Sequence, residues 1–127
     1  MLTSRHFWDG IGGLAYAFAK ADAEIDEREM RKFAARIEAA FRHLPTNFPG
    51  RSEAILQLFH NLNYTPEKAY QEALSKFEQV RDEVAYYRHE ILRIFREVIA
   101  ADGKVHPHEV TFLTKLEADL NRIAGLS

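Results

Sequence analysis

The sequence predicts an all-α fold of five to six helices, and three observations predict it. Apolar residues recur at intervals of three and four along most of the chain. No stretch alternates apolar and polar residues in the manner of a half-buried strand. Helix-start signals, Asp26 and Thr65-Pro66 foremost, punctuate the periodic segments.

The first helix is expected to be amphipathic, with Phe7, Ile11, Leu14 and Phe18 on one face. Gly10, Gly12 and Gly13 weaken it, each by up to about 1 kcal/mol relative to Ala, and suit close approach of a neighbouring helix. A start after the glycines is therefore open. Asp26 opens a second helix whose stripe is Met30, Phe33, Ile37 and Phe41, ended by Leu44-Pro45 and the loop through Gly50. Ser52 is placed as the cap of a short third helix with Ile55, Leu58, Phe59 and Leu62 inward. Thr65-Pro66 starts a pattern that runs through Tyr70, Leu74, Phe77, Val84, Tyr87, Ile91, Phe95 and Val98 to about Ala101. That is long for one globular helix, so a break is expected near Arg81-Asp82-Glu83. A last helix after His106 carries Val110, Leu113, Leu116, Leu120 and Ile123.

The composition narrows the function classes. With 127 residues, the chain reads as one domain spanning residues 1–127, because two halves would each be too small for a good core. A net charge of −2 is not the basic bias of a protein held to nucleic acid through phosphates. The absence of cysteine excludes disulfides, thiolate–zinc sites and thiol catalysis. The apolar run from Ile11 to Ala19 falls far short of the roughly 20 residues of a membrane span. Asp9 also interrupts the lead a signal peptide needs, so a soluble, cytoplasmic protein is expected.

An internal repeat is the most informative feature. Ala21-Asp22-Ala23-Glu24-Ile25-Asp26-Glu27-Arg28-Glu29-Met30 aligns with Ala101-Asp102-Gly103-Lys104-Val105-His106-Pro107-His108-Glu109-Val110, at an offset of 102 − 22 = 80. Phe33 and Leu113 extend the match. Each copy follows one apolar helix and precedes another, which predicts two duplicated helix–turn–helix halves. Within a copy, Asp26 and Glu29 fit a capping box flanked by an Ile25–Met30 staple. The second copy has His106 at the cap, Pro107 at the first helical position and Glu109 in the capping-box place, with Val105 and Val110 as staple. Capping accounts for Glu29 and Glu109 but not for Asp22 and Asp102, which sit at a helix C-terminus where the dipole disfavours a carboxylate. Asp-Gly turn formation is the simpler reading of Asp102.

Asp102 to Glu109 copies the second half of a calcium-binding EF-hand loop. Val98 and Ala100 stand where the first ligands belong, so an EF-hand is rejected. The segment Ile99-Ala100-Ala101-Asp102-Gly103-Lys104-Val105-His106-Pro107-His108-Glu109, followed by Leu113, resembles the signature of TerB-like domains. These include tellurite-resistance TerB proteins and the N-terminal domain of the DjlA co-chaperones. The first copy, Ala21 to Phe33, is similar to the weaker N-terminal half of that signature. The resemblance implies an all-helical fold with duplicated halves. It also implies that Asp22, Glu29, Asp102 and Glu109 match acidic positions that bind a metal or a partner. Ala23 departs from the usual Gly, and no J domain follows within these residues, which argues against a DjlA-type co-chaperone acting alone.

One acidic turn supplies too few oxygens for a divalent ion, since calcium takes about six to eight. Two turns facing each other about a pseudo-twofold axis would supply enough with water. His106 and His108, two apart at a helix start, point in different directions and are read as turn residues more readily than as ligands. Gly10-x-Gly12-Gly13 follows no strand, which removes a phosphate loop, and no nucleophile motif is present. The expectation is a non-enzymatic sensing or scaffolding module in metal, tellurite or envelope stress. It works through a protein partner or self-association, without nucleic acid. Two forms stand open: one binds a divalent metal ion through Asp22, Glu29, Asp102 and Glu109, the other is an ion-free, co-chaperone-like adaptor. A metal-dependent hydrolase is the least supported class.

Overall fold

A computed structural model describes residues 1–101 and 108–126. Six helices follow in order: α1 (Arg5–Ala21), α2 (Glu27–Ala40), α3 (Arg51–Asn61), α4 (Pro66–Glu78), α5 (Arg81–Ala100) and α6 (Glu109–Ile123). Among the described residues the only extended pairing is an isolated bridge between Thr3 and Thr46.

α1 is the axis of the molecule. Every residue from Phe7 to Ala19 is buried, so the helix is enclosed on all sides and is not the one-faced amphipathic helix expected. α3 and α4 lie along it most extensively, and the glycines make this possible. A Cβ on Gly12 would stand 2.4 Å from the Ser52 carbonyl, one on Gly13 3.0 Å from Ala73 Cβ, and one on Gly10 2.3 Å from the Phe77 ring. The helix therefore starts before its glycines and runs through them.

α2 begins as the sequence predicts. Asp26 is its N-cap and accepts from Glu29 N at 2.8 Å, while Met30, Phe33 and Ile37 face the core and Phe41 is buried just beyond. Thr65 caps α4 by accepting from Lys68 N, with Pro66 at the first position. The long pattern breaks between Glu78 and Arg81, just before the expected place.

Two helices differ from expectation in where they start. In α3 the N-cap is Gly50, whose φ of 80° is left-handed, and Ser52 lies within the first turn. The Ser52 hydroxyl is buried and donates to the Glu38 carboxylate of α2. Ile55 and Leu56 turn inward there, while Leu58 and Leu62 are 47% and 54% exposed. In α6 the N-cap is His108, not His106, and it makes no side-chain cap bond. Val110 is 73% exposed, and Phe112 packs on the core with Leu113, Leu116, Leu120 and Ile123. His106, Pro107 and the Val105 half of the second staple lie outside the described residues.

One continuous hydrophobic cluster draws residues from all six helices. The pairs α1–α2 and α5–α6 are the two halves of the repeat, and α2 also packs on α5. Of the described residues, none belongs to a helix long and apolar enough to cross a membrane.

Candidate functional site: the acidic end of the bundle

The turn after α1 is built by its own aspartates. Asp22 is the C-cap of α1, with its N–H donating to the Ala19 carbonyl at 3.3 Å. Its Oδ1 accepts from Glu24 N at 2.9 Å and its carbonyl accepts from Ile25 N at 3.1 Å. Asp22 is only 8% exposed. The carboxylate that the helix dipole disfavours thus answers backbone N–H groups of a tight Asx turn. Four residues later Asp26 answers the free N–H of the next helix.

Glu29 does something simpler. Its backbone N–H is capped by Asp26, and its side chain is exposed on the first turn of α2. No bond runs from its carboxylate back to Asp26 N among the described residues, so only one arm of the expected capping box forms. Its neighbour Glu27 takes a hydrogen bond from Arg31 at 2.6 Å and lies 3.5 Å from His60. The Arg31 hydrogen bond and charge, with His60 adding, hold the Glu27 carboxyl below its ordinary range.

Glu109 is the first residue of α6 and is half-buried; Asp102 lies outside the described residues. Phe18, in the last turn of α1, brings the two ends of the repeat together. Its ring centroid lies 5.4 Å from that of Phe33, 4.8 Å from that of His108 and 5.2 Å from that of Phe112. The end of α1, the face of α2 and the start of α6 therefore meet in one aromatic cluster. Phe112 reaches on to Tyr70 and Phe95, with centroids 6.2 and 6.1 Å away.

Tyr70 ties α4 to α6. Its hydroxyl donates to Asp119 Oδ2 at 2.5 Å, and Lys115 Nζ sits 4.5 Å from its ring centroid. Burial first, then the Asp119 carboxylate, push this phenol far above the ordinary tyrosine range, so it stays a donor. Beside it lies a shallow hollow of about 230 Å³, lined by Ala17, Ala21, Pro66, Phe112 and their neighbours.

Among the described residues, no group of three or more His, Asp or Glu is arranged to hold an ion. The histidines are dispersed. His43 pairs with Glu90 at 2.9 Å and His60 with Glu27 at 3.5 Å, while His6 lies 3.9 Å from Asp9. Sequence reasoning missed Phe112 because Leu113 extends the repeat, although the spacing from Phe112 to Leu116 is equally helical. It also missed Asp9, 5% exposed within α1 and held by Arg51 Nε at 2.6 Å.

An all-helical bundle of two helix–turn–helix halves, with the end of α1, α2 and the start of α6 meeting in one aromatic cluster, is the class defined by these features. A family model described as Tellurite resistance protein TerB matches residues 10–121, and the chain belongs to that family. No curated protein and no solved structure matches it significantly.

Proposed function

We propose that the chain is a non-catalytic binding module of the TerB family that serves in the cellular response to tellurite, metal or envelope stress, in the cytoplasm. Its working surface is the end of the bundle where the last turn of α1, the face of α2 and the first turn of α6 meet. The single observation that supports this reading is the Phe18 cluster, which joins the helix ends flanking both turns. A duplicated turn gains a joint surface only if its copies are neighbours.

On this surface the ion-free adaptor is the better-supported form. Asp22 already spends an oxygen and most of its exposure on its own turn, and Glu29 points into solvent on a different helix. The ion-bound form, with Asp22, Glu29, Asp102 and Glu109 sharing one divalent cation, rests on the same convergence and on the need to neutralise a buried carboxylate.

Calorimetric titration of the whole chain with calcium, magnesium, manganese and zinc separates the two forms, with melting curves alongside. The adaptor form predicts no heat and no shift with any of them. A ligand at a hundred times its Kd would add about 2.7 kcal/mol of stability, an unmistakable rise in Tm. Loss of that rise in Asp22→Asn and Glu109→Gln would establish the ion-bound form. The non-catalytic reading falls if a broad hydrolase screen shows turnover that Asp102→Asn abolishes.

A further inference from the structure

The opposite end of the bundle carries a preformed hollow that nothing above uses. It opens where α2 ends, the loop to α3 begins and the first turns of α1 pass beneath, some fourteen residues or about 20 Å along α1 from Asp22. Its volume is about 390 Å³, enough for a long side chain or a small ligand.

Trp8, Phe41 and Leu44 form the floor, all of them at most 5% exposed, with the rings of Trp8 and Phe41 edge to face at 5.9 Å. Phe48 lines the hollow from the loop and is itself 38% exposed, an apolar surface left open to water. The loop that presents it is fixed. Thr3 Oγ1 donates to the Pro45 carbonyl at 2.6 Å, Phe48 N donates to Thr46 Oγ1 at 2.9 Å, and Gly50 N donates to the Glu38 carboxylate.

The charge around these rings selects the occupant. Glu38 and Glu53 both line the hollow, against one lining cation, the exposed Arg42. Glu38 is held in place by Gly50 N and the Ser52 hydroxyl, so a fixed negative charge stands beside the rings. Aromatic faces next to carboxylates attract a cation carried on an apolar stem.

We infer that this hollow is a docking pocket for an arginine or lysine side chain of a partner protein. The stem lies along the exposed ring of Phe48, above the floor of Trp8 and Phe41, and the cationic head meets Glu38 and Glu53. Arginine is favoured because its planar guanidinium stacks on rings and pairs with carboxylates at once. The inference does not depend on the acidic end, and it survives either outcome of the ion titration.

Trp8 is the only tryptophan in the chain, so its indole N–H, which donates to Thr3 Oγ1 at 2.8 Å, is a built-in reporter. The probes are end-blocked tripeptides Gly-X-Gly with X = Arg, Lys, norleucine or Glu, titrated at millimolar concentration and followed by the Trp8 indole resonance and its fluorescence. Arg and Lys peptides are expected to shift the resonance saturably, and norleucine and Glu peptides not. Glu53→Gln should weaken the Arg peptide by about two- to fivefold, the range of one exposed ion pair. Phe48→Ala should weaken it by about tenfold or more through lost apolar contact. Unchanged melting curves show that both variants fold. Equal saturation by norleucine, preference for the Glu peptide, no shift with any probe, or full affinity in Phe48→Ala would each overturn the inference.

Discussion

Asp22 and Asp26 share one turn, the Asp22 carboxylate accepting the Glu24 N–H within it and the Asp26 carboxylate accepting the Glu29 N–H that the start of α2 leaves without a partner. Removing the cap with Asp26→Ala should cost on the order of 1 kcal/mol, read as a lower denaturant midpoint at unchanged slope. A variant of equal stability would show that the Glu29 N–H finds water at no cost. A second carboxylate, Glu90 on α5, receives His43 Nε2 at 2.9 Å and the Arg93 guanidinium. Burial works to raise its pKa, but the bonds from Arg93 and His43 outweigh it, and the carboxyl sits below its ordinary range. A carboxyl whose folded pKa is depressed stabilises the fold above its unfolded pKa and loses that contribution as pH falls through the folded value. The stability gap between the parent chain and Glu90→Gln should therefore be constant near neutrality and close below about pH 4.3. Chemical denaturation across the acid range measures it. A gap that widens on acidification would contradict the assignment.

At the scale of elements, the sharpest constraint is the crossing of α1 with α3. Gly12→Ala gains up to about 1 kcal/mol of helix propensity but places a Cβ against backbone. The obstacle is the Ser52 carbonyl oxygen at 2.4 Å, with Ile55 Cβ at 2.9 Å behind it, and neither is the free end of a flexible chain. Overpacking of this kind costs about 1–3 kcal/mol, so the net change should be destabilising by thermal or denaturant melts. The glycines' role in close approach was legible in the sequence; their place inside the helix was not, because propensity argues for a later start and tertiary contact overrides it. The starts of α2 and α4 were readable to the residue because they are written in side chains, Asp26 and Thr65-Pro66. α3 has no such signal. It is capped by a left-handed Gly50, and the serine that looked like its cap is bonded to Glu38 of another helix. Of the inward face that the spacing gives, Ile55 is buried and Phe59 packs on the core, but Leu58 and Leu62 face water and Leu56 is buried instead. Phase errors of this kind come from start signals that depend on partners far away in sequence.

At the scale of the whole molecule, the repeat at an offset of 80 foretold the correspondence of α1–α2 with α5–α6. It did not foretell how the halves are joined. The joint is apolar: Phe18 stacks among Phe33, His108 and Phe112, so the acidic end is organised from below by a ring cluster. Phe18 is 2% exposed, and Phe18→Ala should cost about 3–5 kcal/mol, as truncation of a buried phenylalanine usually does. Phe41→Ala is a matched control, fully buried at the other end of the bundle against Trp8 and Phe95. Because local openings lie below the global one in free energy, native-state amide exchange resolves where each loss falls. In Phe18→Ala the last turn of α1, the first turn of α2 and the first turn of α6 should lose protection together. In Phe41→Ala those three segments should keep their protection relative to the global limit, while the end of α2 opens. If α6 keeps its protection when Phe18 is truncated, the ends of α1 and α6 are neighbours without being coupled. A partner that grips one of them would then leave the other unmoved.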